Sequence, residues 1–586
     1  MRLIRAVVAR WATGGWRADL VVAVLAGIGY GILARLLFEG RPTGIDEVVS
    51  IWQATQLSHG HVGTPLSPHP EAVLTRFTGI GAAGHIGQFS LGTALAVLPF
   101  VAMGAVWLTG PVWGAVGIFL WARLVRQLES HAPTALAAVV LLAVSPFWAV
   151  QSTSQMAHVP ITALVCAIGL ALARVLRAEP VSRAAIGLGL LVGAAALVRP
   201  VEALAAAVPA ALIVLWQVAR GQLPRRTIPQ GLLGAALPLA LLLGANTIQT
   251  GAPLRFGYDV VWGPAHRLGF HESPLGTRNT PATGMVRIKR QLLNLGTSAW
   301  QSRVSALLPA AVGLVLGAAA MGILEWWAFA SVLGITIGYW TYWGGAEWLG
   351  PRFLLPLLPL LMLWAARCPR LLSRWHRHLG TTAALALTGC VLDGAITGVP
   401  GLYAHYDRIE MSSTRDLSRL LAGAPSPGLI IAREDIKRTS EARLRIYAGD
   451  AAASRNLVKD ADPCAVLWSV RWHEAGASTA PALAPAWRAW CKTPDFQELL
   501  LVTSDAAGAL LLSSTPDRPV VRDLGARTAL LADSLTFRTR TRLLLWERIE
   551  RWSWRPRLAL FDYDSARGSW AREDAAFALA RREAGR

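Results

Sequence analysis

The sequence predicts a mainly α-helical, polytopic membrane bundle with a soluble α/β domain at its C-terminal end. Three observations predict it. Of 586 residues, 53% are hydrophobic and only 16% are charged, against about 25% charged in an ordinary soluble chain. Apolar runs of roughly 17–22 residues with almost no charge recur, each long enough to cross about 30 Å of hydrocarbon at 1.5 Å per residue. After about residue 400 the character changes: charge rises and no run is long enough to span.

The first apolar run, 19–38, follows Arg2, Arg5, Arg10 and Arg17. It is too long for the core of a secretory signal, and Leu36-Leu37-Phe38 is not a small-residue cleavage site, so it reads as an uncleaved span. Further spans are expected at about 110–128, 134–150, 158–177, 184–199, 200–219, 231–250, 303–322, 326–343, 352–367 and 379–399. The run 89–108 is apolar enough to be another. Counting it as a span puts the later basic loops on the wrong side of the membrane. Leaving it at the interface gathers Arg123 and Arg126, Arg174, Arg177 and Arg183, Arg220, Arg225 and Arg226, and Arg367, Arg370, Arg374 and Arg377 on one side with the N-terminus. The positive-inside rule makes that side cytoplasmic and favours about eleven spans over twelve. The expected setting is a bacterial-type inner membrane. Outside then lie the loop 39–109, the loop 251–302 and everything after 400, with Tyr339, Trp340, Tyr342, Trp343 and Trp348 at the outer interface. Two domains are expected: 1–400 in the membrane and 401–586 soluble and periplasmic.

The formal net charge is +20. Much of it sits in short loops between apolar runs, and no nucleic-acid-binding module accompanies it, so nucleic acid is excluded as a partner. Cys166, Cys368 and Cys390 fall in apolar spans and read as packing residues. Cys464 and Cys491 fall in the soluble part, where a periplasmic setting leaves a disulfide open. Strands are expected at 429–432, 465–470, 499–503, 510–513 and 558–563, with a hairpin turn at 505–508 and a helix at 413–421.

Asp46-Glu47 is the sharpest chemical feature. The acids follow the first span and begin an apparent helix, where a carboxylate also serves as a cap. Arg199 and Glu202 flank the junction of two spans: an arginine at that depth suits a phosphate, and an internal pair at i, i+3 is the structural alternative. Arg352 opens a later span on the outer side, where the charge rule disfavours it. His158 begins a span after the polar turn 151–155. His59, His61, His69, His85 and Glu71 are metal-ligating types without metal-ligand spacing. No cofactor is implied, and a divalent metal stays an open alternative.

The order of these features resembles the GT-C superfamily of membrane glycosyltransferases, in particular the protein O-mannosyltransferases and the lipid A aminoarabinose transferases. Asp46-Glu47 stands in a long outer loop after the first span. Gly87-Gln88-Phe89-Ser90-Leu91-Gly92 through Leu98-Pro99-Phe100 is similar to their interfacial loop helix. Ser145-Pro146-Phe147, Gln155-Met156-Ala157-His158, Ala196-Leu197-Val198-Arg199-Pro200, Gly257-Tyr258 and Gly350-Pro351-Arg352-Phe353 follow in the same order. The resemblance covers about residues 18–400. It implies a transferase that moves a sugar from a polyprenyl-phosphate-linked donor to a periplasmic or cell-envelope acceptor, a glycan, lipid or protein. It implies Asp46 as general base with Glu47 beside it, Arg199 and Arg352 on the donor phosphate, and His158, Glu202 and Tyr258 as further substrate contacts. His158 departs from the acid commoner at that position. A lipid or polysaccharide transporter, and a surface-polysaccharide polymerase or ligase, are the competing readings; the charged residues at span ends, rather than at mid-membrane, argue against a permeation path.

Overall fold

A computed structural model describes residues 2–405 except 39, 41, 43–44, 66–76, 275–276 and 346–348, and beyond 405 the backbone of strands alone. Among the described residues nine helical segments are long and apolar enough to cross a membrane. They are α1 (Arg2–Phe38), α4 (Thr109–Leu128) with the turn before it, α7 (His158–Leu176), α8 (Val181–Val198), α9 (Pro200–Ala219), α10 (Thr227–Thr250), α14 (Ile323–Thr341), α15 (Leu358–Ser373) with the 3₁₀ turn Arg352–Leu357, and α16 (Arg377–Asp393) running into α17 (Val399–His405).

Two expected spans are shorter. The run 134–150 divides into α5 (Ala132–Ala143) and α6 (Pro146–Gln151). Pro146 has no amide hydrogen, and Ser145 before it is extended and caps the new helix at Trp148 N. The run 303–322 forms α13 (Leu307–Gly317) and a short 3₁₀ turn. The expected interfacial segment is α3 (Leu91–Ala102), about 18 Å long at 1.5 Å per residue. It is followed by Gly104 at φ +65°, so it is too short to span. α2 (Ile45–Ser58) and the hairpin β1 (Thr78–Gly81) and β2 (Gly84–Gly87) complete the first loop. The second long loop carries α11 (Gly257–Trp262) and α12 (Pro281–Ser298).

The bundle core is aliphatic and aromatic: Trp121, Trp148, Trp300 and Trp327 are fully buried. Cys166 and Cys368 are free and buried, and Cys390 is half-buried. One end of the bundle is an arginine network. Asp19, wholly buried, receives Arg126 Nη2 at 2.9 Å and Arg123 Nη1 at 3.4 Å. Arg367 joins Glu129 at 2.7 Å and also Glu325, and Arg370 joins Glu129 at 2.9 Å. These ties bring together the ends of α4 and α15 and the start of α14. The acids and arginines singled out by sequence lie apart from this network, at the start of α2, at the break between α8 and α9 and in the 3₁₀ turn before α15.

Beyond residue 405 one sheet has the order β4-β3-β8-β9. β3 (Gly428–Glu434) pairs parallel with β8 (Arg557–Asp564) and antiparallel with β4 (Arg443–Ala448), and β9 (Ser569–Arg572) lies antiparallel on β8. A second, antiparallel sheet holds β5 (Leu499–Ser504), β6 (Gly508–Ser513) and β7 (Val521–Asp523). The pairing of Ser504 with Gly508 closes the expected hairpin. The expected strand 465–470, the helix 413–421, and Cys464 and Cys491 lie outside the described residues.

Candidate active site

Asp46 and Glu47 occupy the first turn of α2. Glu47 is 1% exposed and its Oε1 accepts from Gln155 N at 3.1 Å. Asp46 keeps 22% of its side chain exposed and faces Arg352, with Nη2 3.2 Å from Oδ2. The two adjacent acids are therefore divided: Glu47 anchors α2 to the turn 151–155, and Asp46 points to a cation and to open space.

That turn is buried throughout and polar. Gln151 Nε2 donates to Leu349 O at 2.7 Å, and Ser154 Oγ to Gln151 O at 2.9 Å. It thus joins the acid-bearing helix to the segment that delivers Arg352. Gly350 makes the approach to Arg352 at φ +86°, a conformation natural to glycine. Pro351 and Pro356 break the i→i−4 pattern, and residues 352–357 form a 3₁₀ turn rather than the first α-turn expected of this span.

Arg352 is 7% exposed. Among the described residues its hydrogen-bond partners are Asp46 and Met156 Sδ, 3.3 Å from Nη1, and its Nε has none. A thioether is a weak acceptor, and a buried donor left unmet costs about 1–3 kcal/mol. Arg199, at the break between α8 and α9, is arranged differently. Its Nε donates to Glu202 Oε1 at 2.6 Å and its Nη2 to Tyr339 OH at 2.5 Å, while Tyr339 OH donates to Glu202 Oε1 at 2.6 Å. This is the internal pair that the i, i+3 spacing allowed, closed by a tyrosine from α14. Phe353 lies between the two arginines: Arg199 Cζ is 5.5 Å and Arg352 Cζ 5.9 Å from its centroid. Tyr339 stacks on it at 4.8 Å and His158 lies 5.7 Å away.

The second long loop contributes Tyr258 on α11. Burial pushes its phenol up to about 12; Arg199 opposes this, Asp46 and Glu202 add to it, and Arg352 opposes it weakly. Tyr258 is thus within electrostatic reach of all four. Its ring stacks on His266 at 4.7 Å and 7°, and Trp262 lies over the same imidazole at 6.2 Å. Burial lowers the His266 pKa to about 4, with Asp259 opposing. Tyr342 and Trp343 stand edge-on to His266 at 5.4 and 5.8 Å. The loop is pinned by Trp262 Nε1 donating to Gln88 Oε1 at 2.6 Å, by Asn279 Nδ2 donating to Thr341 O at 2.9 Å, and by Gly257. A Cβ at Gly257 would fall 2.6 Å from Gly87 O.

Every residue expected at the site is gathered at this end: Asp46, Glu47, His158, Arg199, Glu202, Tyr258 and Arg352. Sequence reasoning missed Tyr339 as a partner of Glu202, 137 residues away, and gave no role to Phe353, Met156 or His266. Among the described residues no group of three or more His, Cys, Asp or Glu is placed to hold a metal. His69 and Glu71 of the first loop, and Trp348, lie outside them.

Residues 89–243 match the family model described as dolichyl-phosphate-mannose-protein mannosyltransferase. Over this stretch the chain is similar to that family. The stretch runs from α3 through most of α10 and so includes His158, Arg199 and Glu202, with Asp46, Tyr258 and Arg352 on either side. No curated protein matches the chain. Among solved structures it is similar to ArnT from Cupriavidus metallidurans bound to undecaprenyl phosphate, at 12% identity and a TM-score of 0.42, covering 80% of this chain and 74% of that one. It is also similar to the arabinosyltransferase EmbB from Mycobacterium smegmatis, at 12% identity and 0.39, covering 60% and 30%. The Archaeoglobus fulgidus oligosaccharyltransferase in complex with zinc and sulfate gives 15% and 0.43, covering 70% and 56%. The chain therefore spans about a third of EmbB and just over half of the archaeal protein.

Proposed function

We propose that the protein transfers a sugar from a polyprenyl-phosphate-linked donor to a hydroxyl acceptor at the outer face of a bacterial-type inner membrane, with inversion at the anomeric carbon. The observation that carries this is the Asp46–Arg352 pair, a half-buried carboxylate held against a buried guanidinium with a donor to spare among the described residues. The matched family's description names a dolichyl-phosphate-linked sugar, which agrees with it.

Asp46 acts as general base. The acceptor oxygen attacks the anomeric carbon as its proton passes to Asp46. The bond from that carbon to the phosphate oxygen breaks, and its electron pair stays on the phosphate. The donor diester carries one negative charge and the departing monoester gains a second, so the cations count most as the bond breaks. Arg352 and Arg199 supply that positive field. Glu47 holds the α2 turn that orients Asp46. Tyr258 and Glu202 bound the space that the sugar and the acceptor enter. The loop charges support this reading's orientation, in which the N-terminus and the arginine network face the cytoplasm and the site faces the periplasm.

The test is transfer in purified membranes from a panel of radiolabelled polyprenyl-phosphate sugars. Asp46→Asn is expected to lower transfer by about 10²–10⁴-fold, the usual contribution of a positioned base, with the variant still inserted. A folded Asp46→Asn protein with full activity would overturn the assignment.

A further inference from the structure

The two arginines beside Phe353 differ in what their donors already do. Arg199 is engaged by Glu202 and Tyr339, which also bond to each other. Among the described residues, Arg352 has Nε without a hydrogen-bond partner and Nη1 against a thioether only. A second buried nitrogen beside the same ring is unmet among the described residues: Nδ1 of His158, a residue 4% exposed. His158 and Arg352 both border Phe353, at 5.7 and 5.9 Å. His158 is also the first residue of α7, a helix whose N-cap, Ala157, has no side-chain acceptor. The positive end of α7 therefore opens beside two unmet buried nitrogens. Buried polar groups are nearly always paired, so the arrangement fits a bound anion.

We propose that His158 and Arg352 bind the donor phosphate directly, with His158 donating from Nδ1, while Arg199 acts from behind as a positioning residue. This rests on the glycosyl-transfer reading and assigns its contacts. A neutral donor suits the place, because its hydrogen bond strengthens as the leaving phosphate gains its second charge. The product polyprenyl phosphate then binds more tightly than the donor and inhibits the enzyme.

The test is equilibrium binding of undecaprenyl phosphate, without sugar, to the full-length protein in nanodiscs. The variants are His158→Ala, His158→Asn and His158→Asp, each checked by thermal unfolding. Asn keeps a neutral donor near the Nδ1 position and should bind within about threefold of wild type. Ala should lose about tenfold or more, the effect of one hydrogen bond to a charged group. Asp, which repels the phosphate, should bind weakest. Equal binding by Ala, Asp and wild type would overturn the assignment of His158. A wild-type protein that does not bind undecaprenyl phosphate would sink the donor reading itself, and this inference with it.

Discussion

Arg352 Nη2 stands 3.2 Å from Asp46 Oδ2, although 306 residues separate them in the chain. The pair joins the first turn of α2 to the 3₁₀ turn that opens the last spans, so the two halves of the bundle meet at one carboxylate. Arg352→Lys keeps a charge but loses the planar fork. It is expected to retain part of the transfer activity, while Arg352→Ala loses about 10²–10³-fold. Initial rates at saturating donor check this; equal rates for Ala and wild type would remove Arg352 from the mechanism.

The Arg199–Glu202–Tyr339 triangle makes a stability prediction. Glu202 is 1% exposed, and removing Arg199 leaves its charge uncompensated, at a cost of about 3–5 kcal/mol. Tyr339→Phe removes the hydroxyl that accepts from Arg199 and donates to Glu202, and costs about 1–3 kcal/mol. Replacing Arg199 and Glu202 together by apolar residues should cost less than Arg199→Ala alone. Unfolding in detergent measures all three, and a double variant worse than the single would contradict the triangle.

Gly350 should not tolerate a side chain. Its φ is +86° and a Cβ would lie 2.8 Å from Phe147 Cε2. Gly350→Ala should destabilise by about 1–3 kcal/mol and, by displacing Arg352 two residues on, depress transfer more than donor-independent folding markers. Wild-type stability together with wild-type transfer would show that the turn is not held as described.

The loop 257–266 should loosen in acid. A free imidazole titrates near 6.5 and His266 at about 4, so the folded state binds the proton later than the unfolded one. Its contribution is fully present above about pH 6.5 and is lost progressively as the pH falls to 4. Hydrogen exchange across residues 257–266 should rise over that window, and His266→Phe, which keeps the aromatic stack without the titration, should flatten it. An identical rise in the variant would place the pH response elsewhere.

Much of the site was legible because its chemistry clashes with its surroundings. Asp46, Arg199, Glu202 and Arg352 are ionisable residues at the ends of apolar runs, and the cost of placing them there singles them out. His158 stood out for the same reason. Tyr339, Phe353 and Met156 are ordinary residues of apolar helices, and nothing local distinguishes a packed ring from one that touches two arginines. His266 was missed because its role comes from the stack on Tyr258 and Trp262, which depends on how a long loop folds back. The lengths of α5 and α13 also differed from expectation, since hydropathy marks an apolar run but not the Pro146 break or the early stop at Gly317.

The sequence by itself determined that the chain is a multi-pass membrane protein, that 89–108 is not a span, and which charged residues share an end. Those properties follow from transfer free energy and loop charge, which act on each segment separately. Only the tertiary structure decided which carboxylate is anchored and which is open, and which arginine is engaged and which has donors left. Those depend on distances between residues as far apart as Asp46 and Arg352, and only the packing of helices, satisfying some buried donors and stranding others, sets them.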